Sequence, residues 1–290
     1  MRDELQQLFR DKFDVVPSGA ALTLLCRLRT MYEEQGVMEG LVAAPLWPAC
    51  ECATSCWQGI PSAFRPGRGR AGAWDGAIPL PWVGQFYRRG GVVVLGVNLN
   101  NASGLLVEYD IAINGPKSQL EALRASKKKP HGSWWAYRSL RSARAVLCSL
   151  DGQPVRDEAD PVAVADTLLR VSRLQAVKCS PQDGARSSRT ANMDANCPPK
   201  FLQRELEILN PRAVVAFGNE SWGALDSIGA MRITTGGPNV WRALLTQGDR
   251  TREVFWLPHP ASNGSLWEKS HNSLLASLRQ RPAVASASRS

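Results

Sequence analysis

The residues that could do chemistry fall into a few sets. Seven cysteines stand at 26, 50, 52, 56, 148, 179 and 197. In a cytosolic chain thiols serve as metal ligands or core residues more often than as disulfides. Cys26 and Cys148 lie in helix-like apolar surroundings and read as core residues. The other five lie in polar or proline-rich stretches, where burial explains them less well. Of only three histidines, His259 stands in Pro258-His259-Pro260-Ala261-Ser262, directly after an apolar run. The stretch GVVVLGVNLNNASG at 91–104 passes from a core-like run into a loop carrying Asn98, Asn100 and Asn101, with no acid, base or thiol. Amides do not ionise at neutral pH, but they orient water and read hydrogen-bonding edges.

Charge points to the partner. Lys and Arg number 35 against 26 Asp and Glu, a net charge of +9 that favours a polyanion. Basic residues also cluster beside rings: Arg65, Arg68 and Arg70 after Phe64; Arg88-Arg89 after Phe86-Tyr87; and Lys127-Lys128-Lys129 leading to Trp134-Trp135-Ala136-Tyr137-Arg138. Cations for phosphates beside rings for bases are what a nucleic-acid groove needs, and three such clusters favour DNA or RNA over solvated loops. No stretch approaches twenty apolar residues, so no membrane span is expected. The charged N-terminal stretch MRDELQQLFRDKF lacks an apolar signal region, and a cytoplasmic protein is expected.

The elements that must position these groups follow from periodicity. Ser18 reads as a helix N-cap, with Leu24, Leu28, Met31 and Tyr32 on one face and Gly36 as the stop. Residues 37–90 are rich in Pro, Gly, Trp and Cys and show little periodicity. Four short apolar runs, Val92–Val97, Leu174–Val177, Ala213–Phe217 and Val254–Leu257, read as strands buried on both faces. Helices are expected at about 117–126, 161–172, from Pro198 to before Pro211, 219–228 and 267–280. Strands alternating with helices predict a parallel sheet between helical layers, with ligands bound outside the carboxyl ends of the strands. One unit over 1–282 is expected: an N-terminal helical and cysteine-bearing segment to residue 90, an α/β core over 91–282, and a disordered tail over 283–290.

The order of three motifs carries a family likeness. LQAVKCSPQ, then a basic loop, then NCPPKFLQRELEILNPRAVVAFG, then FWLPHPAS resembles the uracil-DNA glycosylase superfamily, and within it the iron–sulfur branches. The likeness runs from about Gly91 to Ser262. It implies an α/β/α sandwich, three layers around a central four-stranded parallel sheet, acting on a base flipped out of DNA, and a monomer with no obligate protein partner is expected. It also implies a structural [4Fe–4S] cluster on Cys52, Cys56, Cys179 and Cys197. The early spacing departs from the usual C-x-x-C, so Cys50 competes with Cys52, and zinc competes with the cluster.

The same resemblance assigns roles. His259 is the expected donor to the departing base, and Ser262, with Lys178, Arg186 and Arg189, the expected contact to DNA phosphates. Several branches place a carboxylate after the first strand, whereas Gly96-Val97-Asn98-Leu99-Asn100 is similar to the asparagine motif of the mismatch-specific branch. Asn98 is therefore the expected water-positioning residue, with Glu108 and Asp110 as reserve bases. Asn100 and Tyr109 are expected against the base, Tyr109 as the stacking ring. Gln175 replaces an asparagine that reads uracil; its amide reaches one methylene further, too far for a bond that tolerates a few tenths of an ångström. The combined expectation is a monofunctional DNA glycosylase for a modified pyrimidine other than plain uracil. Hypermodified, glucosylated cytosine of viral DNA is the leading candidate. Uracil or mismatch repair, a non-catalytic module that binds modified DNA, and an iron–sulfur enzyme acting on a nucleotide are the alternatives.

Overall fold

The computed structural model describes residues 2–13, 16–36, 38–39, 42–43, 81–96, 135–177, 191–235, 239–260, 262 and 264–280. In chain order come α1 (Arg2–Phe13), α2 (Gly19–Glu34), β1 (Met38–Glu39), β2 (Val42–Ala43), β3 (Trp82–Val83) and β4 (Val92–Gly96). They are followed by α3 (Trp135–Leu150), α4 (Pro161–Asp166), β5 (Val171–Gln175), α5 (Ala191–Cys197) and α6 (Gln203–Leu209). The chain closes with β6 (Ala213–Phe217), α7 (Asn219–Ser227), β7 (Ala230–Thr235), β8 (Trp241–Gln247), β9 (Arg250–Leu257) and α8 (Gly264–Arg279).

One seven-stranded sheet has the order β3-β5-β4-β6-β9-β8-β7. Its centre, β5-β4-β6-β9, is parallel throughout and contains the four expected strands. The unbroken apolar runs of β4 and β6 can bury both faces, as at β6, where all five residues are buried. Each such Val, Leu or Phe side chain stabilises the fold by about 1.5–3 kcal/mol. Helices α3 and α8 cover one face, where Phe217 packs on Trp267 with ring centroids 5.7 Å apart. Helices α5, α6 and α7 cover the other. One continuous apolar core reaches from Leu5 in α1 to Leu278 in α8.

Several expectations shift. Antiparallel strands flank the parallel centre: β3 beside β5, and the β7–β8 pair beside β9. The second central strand starts earlier than Leu174, because Val171 and Ser172 already pair with Val92 and Val93, which ends the preceding helical stretch at Leu169. The helix at Pro198 begins at Ala191 instead. Prolines 198 and 199 lack the N–H that an α-helix interior needs, and the helix widens over Pro198–Leu202 into a π turn closed by the Gln203 N–H on the Pro198 carbonyl. The third basic-aromatic cluster is in part the start of α3, where Tyr137 and Arg138 are buried rather than presented to a polyanion. Ser18 caps α2 as expected, its Oγ accepting from the Ala21 N–H at 3.3 Å. The expected helix near 117–126 and the tail lie outside the described residues.

Candidate active site

Parallel strands put their carboxyl ends on one edge, and here that edge carries Gly96, Gln175, Phe217 and Leu257. Gly96 and Gln175 are register partners, and the Ala176 N–H donates to the Gly96 carbonyl at 3.0 Å, extending the ladder one step past the strands. The Gln175 side chain folds back over Gly96. A Cβ at position 96 would lie 2.8 Å from the Gln175 Oε1, so only glycine leaves room for this amide. The Gln175 amide, placed by β5 and seated on β4, therefore stands where the chain enters the amide-rich loop.

Across the edge, the Gly218 N–H donates to the Leu257 carbonyl at 2.9 Å and joins the ends of β6 and β9. Gly218 has φ 86°, a conformation that disfavours side chains. Its Cα supports the His259 ring: a Cβ there would come 3.8 Å from the His259 Cδ2 and 3.1 Å from the Glu220 Oε2. His259 keeps a solvent-accessible side, as a group that meets a substrate must. Burial of its other side lowers its pKa below the ordinary 6.5, with the nearby Glu220 carboxylate opposing the shift. The imidazole is thus neutral at pH 7 and can donate one N–H.

The loop after His259 is closed by the Ser262 N–H on the His259 carbonyl at 2.8 Å. That N–H is engaged in the turn. Arg138 holds the same loop from behind. Its Nη1 donates to the Pro260 carbonyl at 2.5 Å and to the Ser262 carbonyl at 3.2 Å, while its guanidinium lies 5.9 Å from the Trp267 ring centroid. Sequence reasoning assigned Arg138 to a DNA-facing cluster. The signal for its true place was the helical spacing of buried positions through α3, which Arg138 and Arg141 interrupt with charge.

Cys197 is fully buried at the end of α5. Beside it the Tyr32 hydroxyl donates to the buried Glu205 carboxylate. Burial, then the charges of Glu205 and Cys197, push the Tyr32 phenol well up. A fully buried thiol packs as a small apolar residue does, and among the described residues no three His, Cys, Asp or Glu converge. Cys50, Cys52, Cys56 and Cys179 lie outside the described residues, as do Asn98, Asn100, Tyr109, Lys178, Arg186 and Arg189. The structure therefore brings Gln175, His259 and Ser262 to one sheet edge, while Cys197 stands at the end of α5 beside Tyr32 of α2.

The carboxyl edge of a parallel α/β sheet, which here carries an imidazole and a carboxamide, is where such folds bind their ligands. Residues 136–280, half of the chain, match the Uracil DNA glycosylase superfamily. The chain belongs to that superfamily, whose general activity is that of a DNA glycosylase, a hydrolase of N-glycosyl bonds. The match takes in Gln175, Cys197, His259 and Ser262 and begins after β4. No curated protein matches. Among solved structures, a domain of unknown function from Bordetella bronchiseptica, crystallised with citrate as a domain-swapped dimer, is similar at 15% identity and a TM-score of 0.26. The alignment covers 64% of this chain and 41% of that one. A likeness of that size carries no argument. No described helix is long and apolar enough to cross a membrane.

Proposed function

We propose that the protein is a monofunctional DNA glycosylase that hydrolyses the N-glycosidic bond of a flipped-out modified pyrimidine, other than plain uracil. Hypermodified, glucosylated cytosine of viral DNA is the leading substrate class and antiviral defence the leading role. The observation that carries this reading is the seat of Gln175. Its amide lies folded against Gly96, where a shorter asparagine amide would end a methylene earlier. A longer amide seated in this way supports recognition of a base other than uracil.

Excision passes through an oxocarbenium-like sugar while negative charge gathers on the leaving base. His259, kept neutral by its half-buried seat, donates its N–H to that charge. Neutrality matters because an imidazolium would need a counter-charge in the ground state, whereas a neutral donor strengthens only as the base becomes anionic. Asn98 orients water towards the sugar carbon, Tyr109 stacks beneath the base, and Gln175 and Asn100 read its edge. The Ser262 hydroxyl, with Lys178, Arg186 and Arg189, holds the backbone. Cys197, with Cys52, Cys56 and Cys179, holds a structural [4Fe–4S] cluster, with Cys50 as the alternative to Cys52 and zinc as the alternative metal.

The test is mass spectrometry of bases released when the protein is incubated with a panel of modified phage genomes, alongside uracil-containing and mismatched duplexes. Release of one hypermodified base, abolished in His259→Ala, is the expected result. Tight binding to modified duplex with no released base would instead make the protein a non-catalytic reader.

A further inference from the structure

Beside the His259 loop stands a column of indoles. The Trp241 ring in β8 stacks on the Trp256 ring in β9, with centroids 3.9 Å apart and planes 15° apart. Trp222 from α7 meets Trp241 edge-on at 5.8 Å. The Trp256 Nε1 donates to the Gly218 carbonyl at 2.6 Å, which ties the column to the glycine beneath His259. Arg232 of β7 caps it: the guanidinium carbon lies 3.6 Å from the Trp241 centroid and 5.5 Å from that of Trp222.

Arg232 differs from the carboxylate-paired arginines of the sheet and helices. Arg29, Arg141, Arg170, Arg204 and Arg242 each meet a carboxylate within 3.2 Å. Arg232 is exposed and, among the described residues, pairs with rings and with no carboxylate. Its position on the sheet decides what it faces. Arg232 pairs with Ala243, which pairs with Val254, and the guanidinium leans from that level to Trp241, the partner of Trp256. The cation therefore stands towards the carboxyl end of the sheet, two strands, or about 10 Å, to the side of β9. An exposed cation–π contact is weak, enough to orient the guanidinium while leaving its N–H edges for an anion.

We infer that Arg232, held on the Trp241–Trp256 column, contacts a DNA phosphate on the flank of the active site. This rests on the glycosylase reading and adds a contact that the His259 loop does not supply. The hairpin thereby becomes part of the DNA-binding surface.

The experiment measures fluorescence anisotropy of an unmodified labelled duplex of about 20 base pairs while salt rises from about 50 to 200 mM. Each phosphate contact contributes about 0.9 to the slope of log K against log salt, so Arg232→Gln is expected to flatten the slope by about that amount. Arg232→Lys keeps a cation on the ring and is expected to restore most of it. Arg250→Gln is the control, since Arg250 begins β9 at the opposite end of the sheet, and it is expected to leave the slope unchanged. A wild-type slope in Arg232→Gln overturns the inference. So does an equal loss in Arg250→Gln, which would mean bulk charge alone. Wild-type protein that binds no duplex at any salt overturns the glycosylase reading as well.

Discussion

Arg138 and Arg141 leave α3 within one turn of each other, both nearly buried against α8, and they are used in opposite ways. Arg138 meets two backbone carbonyls of the His259 loop. Arg141 meets carboxylates: its Nε and Nη2 hold the two oxygens of Asp157 at 2.8 and 2.7 Å, and its Nη1 meets Glu268 at 3.1 Å. Asp157 in turn lies 3.3 Å from the His271 Nε2, and the His271 Nδ1 lies 3.0 Å from the Ser142 hydroxyl. Carbonyls do not titrate and carboxylates do. The clamp behind the active-site loop is therefore indifferent to pH, while the network one turn away is built from titrating groups. The Ser142–His271–Asp157 line has the composition of a nucleophilic triad, but Ser142 and His271 are fully buried and cannot meet a substrate.

Breaking the carbonyl clamp has the largest expected effect. Arg138→Ala removes charge-assisted bonds worth about 1.5–3 kcal/mol each and releases the loop that aims His259. A misplacement of about 1 Å lowers rate roughly a hundredfold, so single-turnover excision should fall by that order and the melting temperature should drop. Retention of near wild-type excision would show that the loop holds itself.

The titrating network should respond to acid alone. Burial, then the Arg141 charge, lowers the His271 pKa to about 4, against 6.5 for an unperturbed imidazole. The unfolded chain takes up a proton that the native state resists. The associated stability is therefore fully present above pH 6.5 and is lost as pH falls from there towards 4, by up to about 3 kcal/mol. Burial alone would raise the Asp157 carboxyl, but hydrogen bonds and charge from Arg141 hold it low, so its own contribution is lost only at lower pH. Denaturation followed from pH 7 to 4 should show the decline in the native protein and a flatter curve in His271→Gln.

A smaller effect is expected for Arg141→Met. Both carboxylate partners are about half exposed, so water replaces part of the pairing and the loss should be about 1–2 kcal/mol in chemical denaturation, with excision per folded molecule unchanged. The smallest is Gly96→Ala. The new methyl displaces a flexible amide rather than backbone, and a few-fold change in the ratio of bases released, without a fall in stability, is the expected readout.

Legibility in the sequence followed burial. The strands β4 and β6 and the second half of β9 are continuous apolar runs, and His259 stands out because it follows one of them. Strands β7 and β8 escape the same search because they are half open: Met231 is 73% exposed and Ile233 48%, and Arg232 and Arg242 break up the runs. Helix α3 was masked by buried arginines, whose charge imitates a solvated face although each is satisfied by a local partner. Gln175 was legible as a residue type, but its fold-back over Gly96 depends on a register between strands far apart in the chain. No local pattern encodes such a pairing.

The mixed sheet also sets an order of assembly. Strands β7, β8 and β9 pair as a meander between Ala230 and Leu257, closing only short loops. The β4–β5 partners Val92 and Val171 are roughly eighty residues apart, and their closure carries a larger entropic penalty before any contact rewards it. The indole column and its arginine are therefore expected to form early, from local contacts. The glycine–glutamine seat at the carboxyl edge should form late, so errors in folding would appear first at that edge.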